Sequence, residues 1–268
     1  MGAGTVVAIS STVMRGAVGL RPITFALERR GATVWAVPTV LLPWHPGLGP
    51  STRTPNTALA AHLADLAEHA GEADGVLTGY FASAEQVQVA AGFIDRVRAV
   101  RDALVLVDPV SGDERGRYVP DDVLAAIRTH LVPRADILTP NVHELADLGG
   151  AGDPVTAAHA TGVATVVVTS AWARPERIQT LQVEQSSVRV VEHARIEPAP
   201  RGTGDLFSAV YLSARLSGEA SVDALRQAAA ATLAVVRASD GPTLALAAAQ
   251  AAIAAPPTCD VVLRDHEP

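Results

Sequence analysis

Cysteine is almost absent: Cys259 is the only one among 268 residues, which excludes an intramolecular disulfide and a thiolate metal cluster. Basic residues are scarce as well. With 21 Lys+Arg against 28 Asp+Glu and a formal charge of -7, no basic stripe is available to displace counterions from a nucleic acid. No apolar run reaches the roughly 18 residues of a membrane helix, and the start, Met1-Gly2-Ala3-Gly4-Thr5, lacks the basic and long apolar stretches of a signal peptide. A cytoplasmic protein without nucleic-acid or membrane partners is the expectation. Gly-x-x-x-x-Gly-Lys-Ser/Thr is missing, as is Gly-x-Gly-x-x-Gly after the first strand, so neither a Walker-type nor a Rossmann phosphate loop is present. No His-x-x-x-His pair offers metal ligands on one helix face. Aromatics make up only 4% of the chain.

What is present is a hydrophobic content of 49%, enough for one large core, and a single domain over residues 1–268 is predicted. Strands are expected at Val6–Ile9, Thr33–Val37, Gly75–Thr78, Ala103–Val107, Asp136–Thr139 and Ala164–Thr169. They alternate with helices over 22–30, 57–68, 83–101, 121–131, 143–148 and 155–161. That order predicts a mostly parallel sheet covered on both faces. Alternation in Ile178–Val183 and Ser187–Val191 adds antiparallel ribbons at one edge, with an edge strand over 259–263. Helices over 205–216, 222–239 and 243–254 close an α/β/α three-layer sandwich. The proline-rich segment from Pro38 to Pro55, holding Trp44 and His45, reads as a loop acting as a binding or dimerisation flap.

The most informative stretch is Arg201-Gly202-Thr203-Gly204-Asp205, which opens a long Ala-rich helical pattern. Glycines before a helix start aim backbone N–H groups at an anion, and the carboxylate beside them is placed to accept a proton. The plainer reading of Asp205 is an N-cap. Asp108 ends an apolar strand, where a lone carboxylate is costly unless it meets a cation or hydrogen-bond donors; capping the turn before Pro109 is the alternative. Asn141 and Glu144 mark the start of a helix. Thr169 and Ser170 follow a Val-rich strand and offer hydroxyls to a phosphate or to an ordinary turn.

These segments resemble the ribokinase-like superfamily and, within it, the pyridoxal kinases. Gly202-Thr203-Gly204-Asp205 is similar to the Gly-x-Gly-Asp signature, and Asp108-Pro109-Val110-Ser111-Gly112-Asp113 to the vitamin kinases' Asp-Pro-Val-Met/Leu-Gly-Asp. Thr139-Pro140-Asn141-Val142-His143-Glu144 and Thr78-Gly79-Tyr80 match further segments in order, so the resemblance spans nearly the whole chain. It implies a homodimeric kinase that uses ATP and Mg²⁺ to phosphorylate the 5'-hydroxymethyl group of pyridoxal or a related vitamer, with a K⁺ requirement left open. Asp205 becomes the catalytic base, with the amides of Gly202, Thr203 and Gly204 around the phosphoryl group. Asp108 and Glu144 organise metal and water, Asn141, Thr169, Ser170 and Tyr118 serve the nucleotide phosphates, and Ser11, Val18, Thr39, His45 and Tyr80 surround the vitamin ring. Leu20 and Ser111 depart from the family pattern and are expected to alter ring preference. A kinase for hydroxymethylpyrimidine or another hydroxymethyl heterocycle, and a non-catalytic binder of pyridoxal phosphate or nucleotide, are the alternatives.

Overall fold

The computed structural model describes residues 4–149 and 152–266. β1 (Thr5–Arg15), α1 (Leu20–Arg29) and β2 (Thr33–Trp44) come first, then β3 (Thr54–Pro55), α2 (Leu59–Ala67), β4 (Gly75–Thr78), α3 (Ala84–Val100) and β5 (Leu104–Val107). A two-residue hairpin, β6 (Gly112–Asp113) with β7 (Gly116–Arg117), precedes α4 (Asp121–Ala126), which runs on into a π turn at Ile127–Leu131. β8 (Ile137–Leu138), α5 (Val142–Asp147), α6 (Pro154–Ala160), β9 (Thr165–Ala173), β10 (Arg177–Glu184) and β11 (Ser187–Ala194) follow. α7 (Thr203–Leu216), α8 (Ser221–Arg237), α9 (Gln250–Ala254) and β12 (Val262–Asp265) complete the chain.

The strands join in one sheet in the order β12-β11-β10-β9-β8-β5-β4-β1-β2-β3. From β2 to β9 every pairing is parallel, whereas β3 at one edge and β10, β11 and β12 at the other are antiparallel. Helices cover both faces, and the alternation of side chains along each strand divides the core accordingly. In β1, Val7 and Ile9 join the cluster that includes Leu63 of α2 and Phe93 of α3, while Val6 and Ala8 join Tyr211 of α7 and Leu225 of α8. This is the three-layer α/β/α sandwich expected from the sequence, with antiparallel strands at both edges instead of one.

Three expectations need correction. Ser10 and Ser11 belong to a strand that continues to Arg15, not to a turn, because β2 pairs with it as far as Trp44. Residues 38–44, read as loop, are therefore sheet, and β3 returns at Thr54–Pro55. Pro38 and Pro43 are tolerated because β2 has only a short partner beyond it, at Val40 and Leu41, so few amides are needed on that side. The helix expected over 243–254 is confined to Gln250–Ala254; Thr243 instead bridges to Arg201, and residues 246–249 form turns before the helix begins. Gly150, read as part of a helix stop, lies outside the described residues, and Gly149 takes positive φ after α5.

Candidate active site

A cleft of about 1280 Å³ opens above the carboxyl ends of the parallel strands. Asp108 enters it from the end of β5, Thr139 and Asn141 from β8, Thr169 and Ser170 from β9, Ser11 from β1, and Gly202 to Asp205 from the start of α7. Sequence order scatters these residues over nearly 200 positions; the parallel topology lines them up along one edge.

The start of α7 is built around Gly202. Its φ of 92° is left-handed, and a Cβ there would lie 2.1 Å from the Ala17 carbonyl oxygen, so only glycine fits. Among the described residues the amides of Gly202, Thr203 and Gly204 find no protein acceptor, and the first helical bond is from Leu206 N–H to the Gly202 carbonyl at 3.1 Å. These free donors, added to the helix dipole, make an anion site facing the cleft. Asp205 does not cap them. Its Oδ2 accepts instead from Gly19 N–H at 2.9 Å, at the start of the neighbouring helix α1. Burial raises this carboxyl to about 6, opposed by the Gly19 N–H.

Asp108 is 6% exposed and accepts a hydrogen bond from Ser208 Oγ at 3.2 Å, while Ser208 in turn meets Thr139 Oγ1 at 2.9 Å. Burial first, then the charges of Glu144 and Asp205, hold the Asp108 carboxyl well above the usual carboxylate range. Ser208 lies three residues beyond Asp205, one turn along the same helix face, a spacing that could have marked it in the sequence. Asn141 and Glu144 form a capping box at α5: Asn141 Oδ1 accepts from the amides of His143 and Glu144, and Glu144 Oε2 accepts from Asn141 N–H at 2.8 Å. Glu144 Oε1 also accepts from Ser111 N–H at 3.1 Å, and Asn141 Nδ2 donates to Gly112 O at 2.8 Å, which staples the loop after Asp108 to the helix. Burial lifts Glu144 to about 7 despite those amides. Among the described residues no three His, Cys, Asp or Glu side chains form a closed metal cage.

Thr169 N–H donates to Pro140 O at 2.8 Å, and its neighbour Ser170 is the one non-glycine with positive φ, 53°, among the described residues, a strain that concentrates at functional sites. Tyr118 borders the cleft and is 47% exposed. At the β1 end, Val13, Val18, Val40 and Leu42 form a small apolar cluster against Tyr80, and Ser11 borders it with no protein hydrogen bond to its hydroxyl among the described residues. Arg53 lies over the Tyr80 ring, 5.4 Å from its centroid, which is cation–π range. His45 borders the cleft from the β2–β3 connection, where its Nδ1 accepts from Gly47 N–H at 2.9 Å.

Thr39 is a correction. It is fully buried, its Oγ1 donates to the Tyr80 carbonyl at 2.7 Å, and it does not border the cleft; it positions Tyr80 instead of flanking a ring. Leu20 likewise packs in the core beside α7 and borders a separate hollow with Phe25, and Ser111 is fully buried, so neither faces a ring. Arg201, named in the sequence only as the residue ahead of the glycine motif, borders the cleft and pairs with Asp113 at 3.2 Å. The sequence offers Leu233 to Leu244, passing Val235, Val236 and Gly241, as apolar surface for a planar base at the cleft's far end; Leu233 and Val236 do border the cleft, whereas Val235 is wholly in the core.

The family described as phosphomethylpyrimidine kinase matches the chain over residues 50–245. A pyridoxine/pyridoxal/pyridoxamine kinase of Bordetella avium (strain 197N) is 38% identical over 260 residues, covering 89% of this chain and 88% of that one. Among solved structures, pyridoxal kinase from Entamoeba histolytica superimposes with a TM-score of 0.90 at 22% identity, over 99% of this chain and 100% of its own. Pyridoxal kinase from Leishmania donovani in complex with ADP and pyridoxamine does so with a TM-score of 0.88 at 23% identity, over 98% and 100%.

Proposed function

We propose, because the chain belongs to the pyridoxal kinase family of the ribokinase-like superfamily, that it is an ATP-dependent kinase transferring the γ-phosphoryl group to the 5'-hydroxymethyl oxygen of pyridoxal or a related B6 vitamer. The observation that carries this reading is the pairing of free amides at the start of α7 with a carboxylate held away from them by Gly19. An acid that merely capped α7 would accept from its own helix.

In this reading the vitamin ring lies against Val18 and Tyr80, with the Ser11 hydroxyl toward the pyridine nitrogen and His45 at the substituted edge. Asp205, raised to about 6, is ionised at neutral pH yet basic enough to accept the hydroxyl proton as the new P–O bond forms. The amides of Gly202, Thr203 and Gly204 take up charge on the transferred phosphoryl oxygens. Thr169, Ser170, Asn141 and Tyr118 border the phosphate path. Asn141's side chain is already committed to α5 and Gly112, so it acts there through the loop it fixes.

Mg²⁺ fits this donor set. Asp108 has one carboxylate oxygen without a protein partner among the described residues, and the ion takes one or two carboxylates with phosphate oxygens and water. Asp108 would hold it directly or through water, and Glu144, whose oxygens already accept amides, would reach it only through water. When bound it neutralises charge between the phosphates. K⁺ is left open.

We read residues 1–268 as one domain, with the β2–β3 connection, at 45–53, as the flap. A homodimer is supported by exposed apolar residues on one face of the outer strands. Thr12 pairs with Leu41, and Met14 lies on the face of Thr12; Met14 is 68% and Leu41 38% exposed. No helix among the described residues is long and apolar enough to cross a membrane, and the cytoplasm is the proposed location.

The test is ADP release with ATP, Mg²⁺ and, separately, pyridoxal, pyridoxine, pyridoxamine and hydroxymethylpyrimidine. Turnover of at least one B6 vitamer above background is expected. Transfer to the pyrimidine alone, or equal background rates for all four, would overturn the reading.

A further inference from the structure

On the reading of the cleft as an ATP site, the base must lie beyond the phosphates, on the side away from the vitamin. The sheet order sets the distance. From β1, beside the vitamin, to β11 there are six strand intervals, roughly 29 Å at the usual spacing, with Asp108 and Thr169 in between. The cleft ends there between β11 and α8, bordered by Ile196, Phe207, Leu233 and Val236, apolar surfaces suited to a planar ring, and by His193 and Thr232.

His193 supplies a direction to this end. Its Nδ1 lies 2.9 Å from the Ala194 carbonyl oxygen, and a carbonyl only accepts, so Nδ1 carries the hydrogen. Burial, aided by Arg237, holds the ring's pKa below the usual histidine value against the pull of that carbonyl, so the imidazole is neutral at pH 7. Nε2 therefore bears a lone pair, and no donor reaches it among the described residues. The nearby charged pair Arg195–Glu197 is satisfied within itself. Thr232 Oγ1 is a second polar atom here without a partner among the described residues.

We propose that His193 Nε2 accepts a hydrogen bond from the 6-amino group of adenine, so that this chain selects adenine over guanine nucleotides. Guanine presents a carbonyl oxygen at the same ring position, and two acceptors facing each other in a desolvated pocket oppose binding. The apolar walls hold either base; the imidazole discriminates.

Calorimetric binding of ADP, GDP and purine riboside 5'-diphosphate, which lacks the amino group, tests this on the parent chain, His193→Phe and His193→Gln. The parent is expected to bind ADP about 5- to 10-fold more tightly than the other two. His193→Phe should bind all three within about twofold, with an unchanged melting temperature, and the amide oxygen of His193→Gln should restore the preference. A parent that binds ADP and purine riboside diphosphate alike overturns the assignment, even if the Phe variant fails to fold. So does a folded Phe variant that keeps the parent's preference. Vitamer turnover separates the two readings. A chain that phosphorylates pyridoxal without preferring adenine loses only the base contact, whereas one that prefers ADP but phosphorylates no vitamer loses only the proposed reaction.

Discussion

The centre of the cleft and its two ends are built from different materials. At the centre a few carboxylates work within a backbone frame: amides at the start of α7, the Gly19 N–H that holds Asp205, and the amides that clamp Glu144. At the ends they are side chains from distant strands and helices, Val18 and Tyr80 on one side, Leu233 and Val236 on the other. A backbone site tolerates almost any side chain but insists on glycine where the chain turns or approaches closely, so it leaves a compact signature. A side-chain site spreads its requirements over many positions, each satisfied by an ordinary apolar residue, and leaves none.

The largest expected effect falls on the centre. Asp205→Asn should lower kcat by about 100-fold or more while ADP affinity stays near that of the parent; a variant turning over at the parent's rate would remove the base assignment. In the parent, kcat/KM should fall as pH drops below about 6, where Asp205 takes up a proton.

Gly202→Ala attacks the backbone itself. A left-handed φ of 92° and a 2.1 Å approach to the Ala17 carbonyl predict a loss of roughly 1–3 kcal/mol from the strained conformation alone, measurable by urea unfolding, together with a higher KM for ATP. An unchanged unfolding midpoint would show that the turn accepts a side chain, and the contrast between centre and ends would lose its basis.

Val18→Ala probes an end. Two carbons fewer against the ring remove about 1.5 kcal/mol, so KM for the vitamer should rise by about 10-fold with KM for ATP unchanged. Equal changes in both constants would place Val18 in the scaffold.

The smallest effect separates charge from packing. Asp108, Glu144 and Asp205 all have folded pKa values above their ordinary ones. The unfolded chain therefore binds fewer protons across the interval between folded and unfolded values; Glu144 and Asp205 withdraw stability as pH rises from about 4 to about 7, and Asp108 acts in the same direction. At pH 8, without divalent cations, Asp108→Asn should melt about 2–4 °C above the parent and should lose the stabilisation that Mg²⁺ gives the parent. A lower melting temperature would mean that the Ser208 contact outweighs the buried charge.

Much of the layering was legible because the central strands are continuous apolar runs, covered on both faces, and the helices between them have clear starts. Ser83, for example, caps α3 through Gln86 N–H. The edges were harder. Pro38 and Pro43 signal a break in isolation, and only the sheet order reveals that β2 can spare those amides. Asp205 and Asp108 were legible as candidate site residues from their local setting. Thr39 was not, since a threonine on a strand can face a ligand or a neighbouring carbonyl, and register decides which. Leu20 was misplaced for a related reason: a departure from a family pattern says nothing about which side of α1 a residue occupies.

The bond between Gly19 and Asp205 joins residues 186 positions apart. During synthesis the carboxylate therefore stays unanchored until the late helix has docked on the first crossover, long after the earlier strands have emerged from the ribosome. Truncated translation products ending before α7 would carry neither the acid nor the free amides and could not spend ATP on water.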